Sequence, residues 1–366
     1  MLFRSTFLIM KTVWAVSDDA SRVLTGFEGG YDSEYKKVVP PQYVLWDGKS
    51  GLKIKSFEGT VGVSPGCQWI AHLVASQEES AELERDLGGE RRKSKQRRNV
   101  VVRLMDTTGR NPEREIKPPD LSYGGRPSVV VSADGRFLLI GGWRDGKAWG
   151  LWWDVEHGRE VERGRNDFDG VFLPDGQHML VWSGPKWEES AEYFGTNLVT
   201  CKDGKVVHSF PVEGRKLAAS RDYRYLVGMA KGERIGVWDT LNGKLLSEIE
   251  CPDGYKVQSV SFDGARLAAT KYVNVVVLDT KTGRIVRQLK ETCGGRVCFT
   301  LDGTHILVGG NSRLEVWNVD SESRVASLER RSNLDSDEGE EEINVLPGGR
   351  LAVTVDKGAL VLWKLP

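Results

Sequence analysis

The sequence predicts an all-β chain, a β-propeller of four-stranded antiparallel blades with eight blades in the ring, and two recurring observations carry the prediction. The first is a strand-like run that ends in Trp-Asp or a variant of it, turns, and enters a second alternating run, as in GVWDTLNGKLLSEIE at 236–250. Two alternating segments around Asn-Gly are among the stronger hairpin signals a sequence offers. The second is a tight turn of Asp, Pro or Gly between two apolar runs upstream of each such hairpin, as in VSADGRFLL at 131–139. Asp bonds the backbone ahead of it in such turns, and Gly accepts the positive φ that closes them.

In chain order the hairpins are YVLWDGKSGLKIKSFEG (43–59), VVVRLMDTTGR (100–110), GLWWDVEHGREVE (150–162), NLVTCKDGKVVHSF (197–210), the stretch at 236–250, NVVVLDTKTGRIVRQLK (274–290) and RLEVWNVDSESRVASLE (313–329), with a final LVLWKLP. The turns are VSDDASRVL (16–24), VSPGCQWIA (63–71), VSADGRFLL (131–139), FLPDGQHML (172–180), ASRDYRYLV (219–227), VSFDGARLA (260–268), FTLDGTHIL (299–307) and VLPGGRLAV (345–353). Turns and anchors interleave one to one. Each unit reads strand, turn, strand, variable loop, strand ending in the anchor, turn, strand. Such a unit of about 40 to 45 residues cannot bury both faces of its sheet alone, and radial stacking buries each sheet against its neighbours. The repeat therefore makes residues 1–366 a single domain, where length alone would allow two or three.

With its anchors at Trp46-Asp47, Trp153-Asp154 and Trp238-Asp239, the chain resembles the WD40-repeat β-propeller family over essentially all its length. The remaining anchors vary the dipeptide, as Met105-Asp106, Cys201-Lys202, Leu278-Asp279, Trp317-Asn318 and Trp363-Lys364, and the family's Gly-His dipeptide is missing from every repeat. The aromatic anchors read as packing residues between blades. The last repeat supplies three strands from Ile343 to Leu365, and an apolar run, residues 2–8, precedes the first. Pairing that run onto the last blade closes the ring and covers an open sheet edge. A seven-bladed ring is the alternative, reached if the repeat around Cys201 forms no blade of its own.

Charge is balanced, 51 basic against 52 acidic residues, which excludes the global field of a nucleic-acid or membrane-surface binder. Cys67, Cys201, Cys251, Cys293 and Cys298 show no CxxC pair and no zinc spacing, as expected of reduced thiols that pack as small hydrophobes. The first residues lack a long apolar stretch with a small-residue cleavage site, and no stretch approaches a membrane span. The expectation is a cytoplasmic protein with no membrane partner.

Antiparallel alternation brings the loop between second and third strands to the same face as the connection into the next blade. The long insertions at 29–42, 77–99, 141–150 and 183–197, and the acidic run DSDEGEEE at 335–342, all fall there. Long loops in compact domains are functional or disordered. The insertion at 77–99 pairs a helix-prone half, QEESAELERDL, with a basic half carrying Arg91, Arg92, Lys93, Lys95, Arg97 and Arg98. Trp143, Trp149, Trp187, Tyr193 and Phe194 on the same face are of the types most often found at interface hot spots.

His72, His157, His178, His208 and His305 are scattered without HExxH or paired-ligand spacing, and no Walker, dinucleotide or GxSxG pattern is present. The first strands, such as TVWAVS, PSVVVS and KLAAS, are poor in Asp, Glu and His, so no metal, cofactor or catalytic ring is expected in a central channel. The expected function is a non-enzymatic scaffold that presents one decorated face to partner proteins. The alternative is a nucleic-acid-associated factor that grips phosphate with residues 91–98, and a propeller enzyme ranks third.

Overall fold

The computed structural model describes residues 2–4, 12–17, 19, 21–27, 30–31, 38–39, 41–75, 98–118, 122–123, 127–144, 147–164, 168–183, 196–220, 223–230, 234–250, 252, 254–300, 302–309, 313–329, 344–345, 351–356 and 359–364. Among these the structure is all-β, with one 3-10 turn at Pro65–Cys67 and no α-helix. The strands form a succession of antiparallel sheets, in most of which four consecutive strands pair in chain order.

The first sheet holds Thr12–Val16, Arg22–Phe27, Gln42–Asp47 and Lys53–Glu58, and the second Val61–Val63, Trp69–Ala75, Arg98–Asp106 and Arg114–Ile116. The third holds Ser128–Val131, Phe137–Arg144, Lys147–Asp154 and Arg159–Gly164, and the fourth Phe168–Phe172, His178–Ser183, Thr196–Thr200 and Val206–Phe210. The repeat around Cys201 thus forms a sheet of its own. The fifth holds Glu213–Ala219, Tyr225–Ala230, Arg234–Asp239 and Lys244–Glu250, and the sixth Lys256–Val260, Arg266–Lys271, Asn274–Asp279 and Ile285–Leu289. The seventh holds Arg296–Phe299, His305–Gly309, Arg313–Asn318 and Ser323–Glu329.

The last sheet departs from chain order. Asn344–Val345, Leu351–Asp356 and Ala359–Lys364 supply three strands, and Leu2–Arg4 takes the fourth place, with Leu2 opposite Val361 and Arg4 opposite Ala359. The expected N-terminal strand is therefore present over Leu2–Arg4, while residues 5–8 lie outside the described residues. Thr12–Val16 of the first sheet lies beside Asn344–Val345 and Leu351–Asp356.

Among the described residues the buried clusters are each shared between two consecutive sheets. Leu24, Leu45 and Phe57 of the first sheet bury with Val61, Cys67 and Ile70 of the second. Ala71, Leu73 and Val102 of the second bury with Val129, Ile140 and Leu151 of the third. The same sharing joins the third to the fourth, the fourth to the fifth, the fifth to the sixth and the sixth to the seventh. Burial of apolar area between faces, at about 25 cal/mol per Å², is thus the force that fixes the order of sheets. Two glycines make room for it. A Cβ on Gly62 would stand 1.9 Å from the Val129 carbonyl oxygen of the next first strand, and one on Gly135, whose φ is +72°, would enter the Trp69 ring.

The anchors are turn caps as well as packing groups. Asp47 Oδ1 accepts the Lys49 and Ser50 amides, Asp154 Oδ1 those of Glu156 and His157, and Asp279 Oδ1 those of Lys281 and Thr282. Register places the fourth sheet's anchor at Val199-Thr200 and not at the expected Cys201-Lys202, which lies in the turn beyond the strand because the strand ends at Thr200. Opposite the step into the anchor the fourth strand carries an extra residue in six sheets, between the partners of Leu45 and Trp46, Trp152 and Trp153, Leu198 and Val199, Val237 and Trp238, Val277 and Leu278, and Val316 and Trp317. Such bulges re-aim the neighbouring side chain, here turning the anchor toward the adjacent sheet. The fourth strand is otherwise exposed and holds on by one apolar residue, Phe57, Phe210, Ile249 or Leu289 in the first, fourth, fifth and sixth sheets.

Candidate interaction face

Each sheet has two ends. At one end lie the turns joining first to second and third to fourth strands, and here side chains bind the backbone down. Ser132 Oγ donates to Asp134 and accepts the Phe137 amide, and Ser261 and Thr300 repeat the arrangement with Asp263 and Asp302. Thr107, Thr240 and Thr280, each following an anchor Asp, donate their hydroxyls to the Cys67, Tyr223 and Gly264 carbonyls of the facing turn. Arg224 binds both oxygens of Asp239, at 3.0 and 2.9 Å. Hydrogen bonds from the Ser50 amide and hydroxyl hold the Asp47 carboxyl below its ordinary range, and bonds from Thr282 do the same for Asp279. These carboxylates serve their own turns.

At the other end emerge the connections between second and third strands and between sheets. The residues expected to form an interaction face belong here, and the structure describes only part of them. Arg98 opens the strand Arg98–Asp106, opposite Tyr123. Ser122–Tyr123, which pairs with Arg98 and Asn99, also lies beside Phe137–Arg144 of the third sheet. The backbone at Arg98 and the strand bearing Trp143 are therefore linked through one short strand. Arg91, Arg92, Lys93, Lys95, Arg97, Trp187, Tyr193, Phe194, the helix-prone stretch 77–87 and the acidic run 335–342 lie outside the described residues.

One expectation is corrected. The stretch 141–150 was expected to be a long insertion, but it is mostly a hairpin: Gly142 stands opposite Trp149, Trp143 opposite Ala148 and Arg144 opposite Lys147, with only residues 145 and 146 between. Trp143 and Trp149 therefore belong to paired strands and not to a loop. The insertion at 29–42 contains a small hairpin of its own, Gly30–Tyr31 with Val38–Val39.

Two features of this end were missed in the sequence. The first is Tyr272, 86% exposed at the tip of the turn between the second and third strands of the sixth sheet, with Val273 beside it. The signal was available in KYVN, where Lys271 stands opposite Asn274 and leaves only two residues to turn the chain. The second is Glu315, a fully buried carboxylate in the third strand of the seventh sheet. It accepts the Trp317 indole at 2.9 Å, the Cys293 amide at 3.0 Å and Arg324 Nη1 at 3.0 Å, and pairs with Arg313 Nε at 2.8 Å. Alternation along LEVWN puts residues 315 and 317 on one face, so a Glu two places before an anchor Trp was the clue.

Three of the described thiols and imidazoles are shifted by burial. Burial pushes the Cys67 thiol up to about 12, and burial together with Asp175 and Asp134 raises that of Cys201. His72 is pushed down, by burial first, with its Nε2 2.8 Å from the Glu58 carbonyl oxygen. Among the described residues no group of three His, Cys, Asp or Glu side chains is placed to hold a metal ion, and no helix is long and apolar enough to cross a membrane.

No protein-family model matches the chain, and a search of curated proteins found no similar sequence.

Proposed function

We propose that this chain is a closed, eight-bladed, WD40-like propeller that serves as a non-enzymatic scaffold for partner proteins. The observation that carries the reading is the sharing of each described buried cluster between consecutive sheets from the first to the seventh, combined with the pairing of Leu2–Arg4 on Ala359–Lys364. Sheets that bury one another in chain order and join first to last make a ring, and a ring of this kind is stiff. The two ends of the sheets then divide the labour. One is stapled by Asp, Ser and Thr caps, and the other carries the insertions, Tyr272 and the basic and acidic runs, which suits it to recognition.

A reducing, cytoplasmic setting belongs to the same reading and is supported by Cys67 and Cys201, both buried free thiols. The test is affinity purification with mass spectrometry of the intact chain against a form lacking residues 77–99. A protein recovered by the intact chain and lost on deletion supports a scaffold working through the decorated face. The same recovery from both forms moves the site to the capped face or the rim. Recovery of nucleic acid, released steeply by salt as phosphate contacts are, replaces the scaffold with the nucleic-acid reading.

A further inference from the structure

The turn at Tyr272 is built in an unusual way. Tyr272 has a φ of +54°, a region in which bulky side chains are strained and which Gly or Asn usually fills in a two-residue turn. Packing does not reward this choice, because the ring is 86% exposed, the most of any large apolar side chain among the described residues. Strain held at an exposed position is a reason to look for a ligand.

The tip is also held rigidly from below. Thr292, in the connection between the sixth and seventh sheets, donates both its amide, at 3.0 Å, and its hydroxyl, at 2.7 Å, to the Val273 carbonyl. Gly294 of the same connection lies close under the turn, where a Cβ would stand 3.2 Å from the Tyr272 carbonyl oxygen. That connection is fastened in turn to the seventh sheet, the Cys293 amide to Glu315 and the Cys293 thiol to the Val308 carbonyl at 3.2 Å. An exposed aromatic ring on a pre-organised mount binds with little ordering cost.

Among the described residues the charge on this end of the sheet has one dominant sign. Register places Lys256 opposite Thr270 and Lys271 opposite Asn274, and Lys290 follows Leu289, which stands opposite Val275, so all three lysines share the Tyr272 end of the sheet. Lys256 and Lys290 are exposed, and the Lys271 ammonium lies 5.9 Å from the Tyr255 ring, with Glu291 as the opposing charge nearby.

We infer that the Tyr272 turn of the sixth sheet is a docking knob for an acidic protein segment, one that covers the phenol ring with an apolar side chain and sets carboxylates against the exposed Lys256 and Lys290. The inference rests on the scaffold reading and narrows it to one sheet and one partner chemistry.

The experiment pans a phage-displayed library of random peptides against the intact chain, then measures the enriched peptides against Tyr272→Gly and Lys290→Glu variants. Glycine relieves the positive φ while removing the ring, so this variant folds with undiminished thermal stability, and a lowered Tm would instead mark the ring as a structural part and overturn the proposal. The expected peptides are rich in Asp and Glu around an apolar residue, weaken about tenfold or more on Tyr272→Gly, weaken on Lys290→Glu, and release with added salt. Failure of enrichment, or peptides that bind wild type and Tyr272→Gly alike, overturns it. A single-stranded RNA oligonucleotide that binds with the same Tyr272 dependence and displaces the peptides also overturns it, in favour of nucleic acid. Should the chain's own partner be lost on deleting 77–99 yet bind Tyr272→Gly unchanged, the scaffold reading stands and the knob does not.

Discussion

Trp46 and Trp317 occupy the same register in the first and seventh sheets and are equally buried, at 8% exposure each, yet their indole N–H groups are satisfied in opposite ways. Trp46 donates at 2.9 Å to the hydroxyl of Thr25, which passes the bond on to the Val44 carbonyl at 3.5 Å. Trp317 donates to the carboxylate of Glu315, which also takes Cys293, Arg313 and Arg324. The first solution is neutral and stays within one sheet. The second is charged and reaches the connection from the sheet before. The repeat thus leaves the chemistry of the acceptor open, and a charged acceptor couples the anchor to whatever else the charge can hold. Trp153, at the same register in the third sheet, shows a third case, with no hydrogen-bond acceptor for its indole among the described residues.

The comparison breaks most visibly at Glu315. Glu315→Ala leaves the buried Trp317 N–H and Cys293 amide without their acceptor and removes the partner of two arginines, and is expected to cost about 3 kcal/mol, read as a lower urea midpoint. That figure is at the low end for a buried pair because Arg313 and Arg324 keep partial access to water. Thr25→Val keeps the shape and removes the acceptor of Trp46 alone, for an expected loss of about 1 to 2 kcal/mol in the same assay.

Acid separates the two sites without mutation of either tryptophan. Burial opposes ionisation of Glu315, but the Trp317 indole, the Cys293 amide, Arg324 and Arg313 outweigh it and hold the carboxyl below the ordinary glutamate range. A carboxyl with a lowered folded value contributes stability that is fully present above its unfolded value, about 4.3, and is lost as pH falls through the folded value. The stability gap between wild type and Glu315→Gln should therefore shrink as the pH drops below about 5, while that between wild type and Thr25→Val stays level. Denaturant titrations of the three proteins across that range check it, and a parallel shrinkage in both would remove the distinction. The smallest effect is expected from Trp46→Phe, about 1 kcal/mol or less beyond lost packing, because the Thr25 hydroxyl retains its contact with Val44.

The repeat was legible because its punctuation is chemical. Asp47, Asp154 and Asp279 sit where a turn needs an acceptor for its own amides, so Trp-Asp and its variants mark the same point in every sheet but the fourth, where Val199 and Thr200 hold it and Cys201-Lys202 falls two residues late, in the turn. The stretch 141–150 misled for the same reason in reverse. Its glycines read as loop punctuation, whereas the flanking tryptophans at 143 and 149 continue the strand pairing almost to the tip. Glu315 was invisible to a reading that scores charged residues as solvated, since its burial depends on Arg313 beside it and on Arg324 and Cys293 brought there by the fold. Arg98, Trp143 and Trp149 lie at the end of the sheets where the sequence placed them, whereas the turn at Tyr272 was not singled out, because strain at a backbone dihedral leaves no trace in composition.

The pairing of Leu2–Arg4 with Ala359–Lys364 also orders events in time. Among the described strands Leu2–Arg4 is the first in chain order and its partner Ala359–Lys364 the last. Their contact closes the longest loop between paired described strands, at the highest cost in loop entropy. Until it forms, Ala359–Lys364 presents an unpaired edge open to pairing with other chains. The last sheet is accordingly most exposed to misassembly in the interval before Leu2–Arg4 docks.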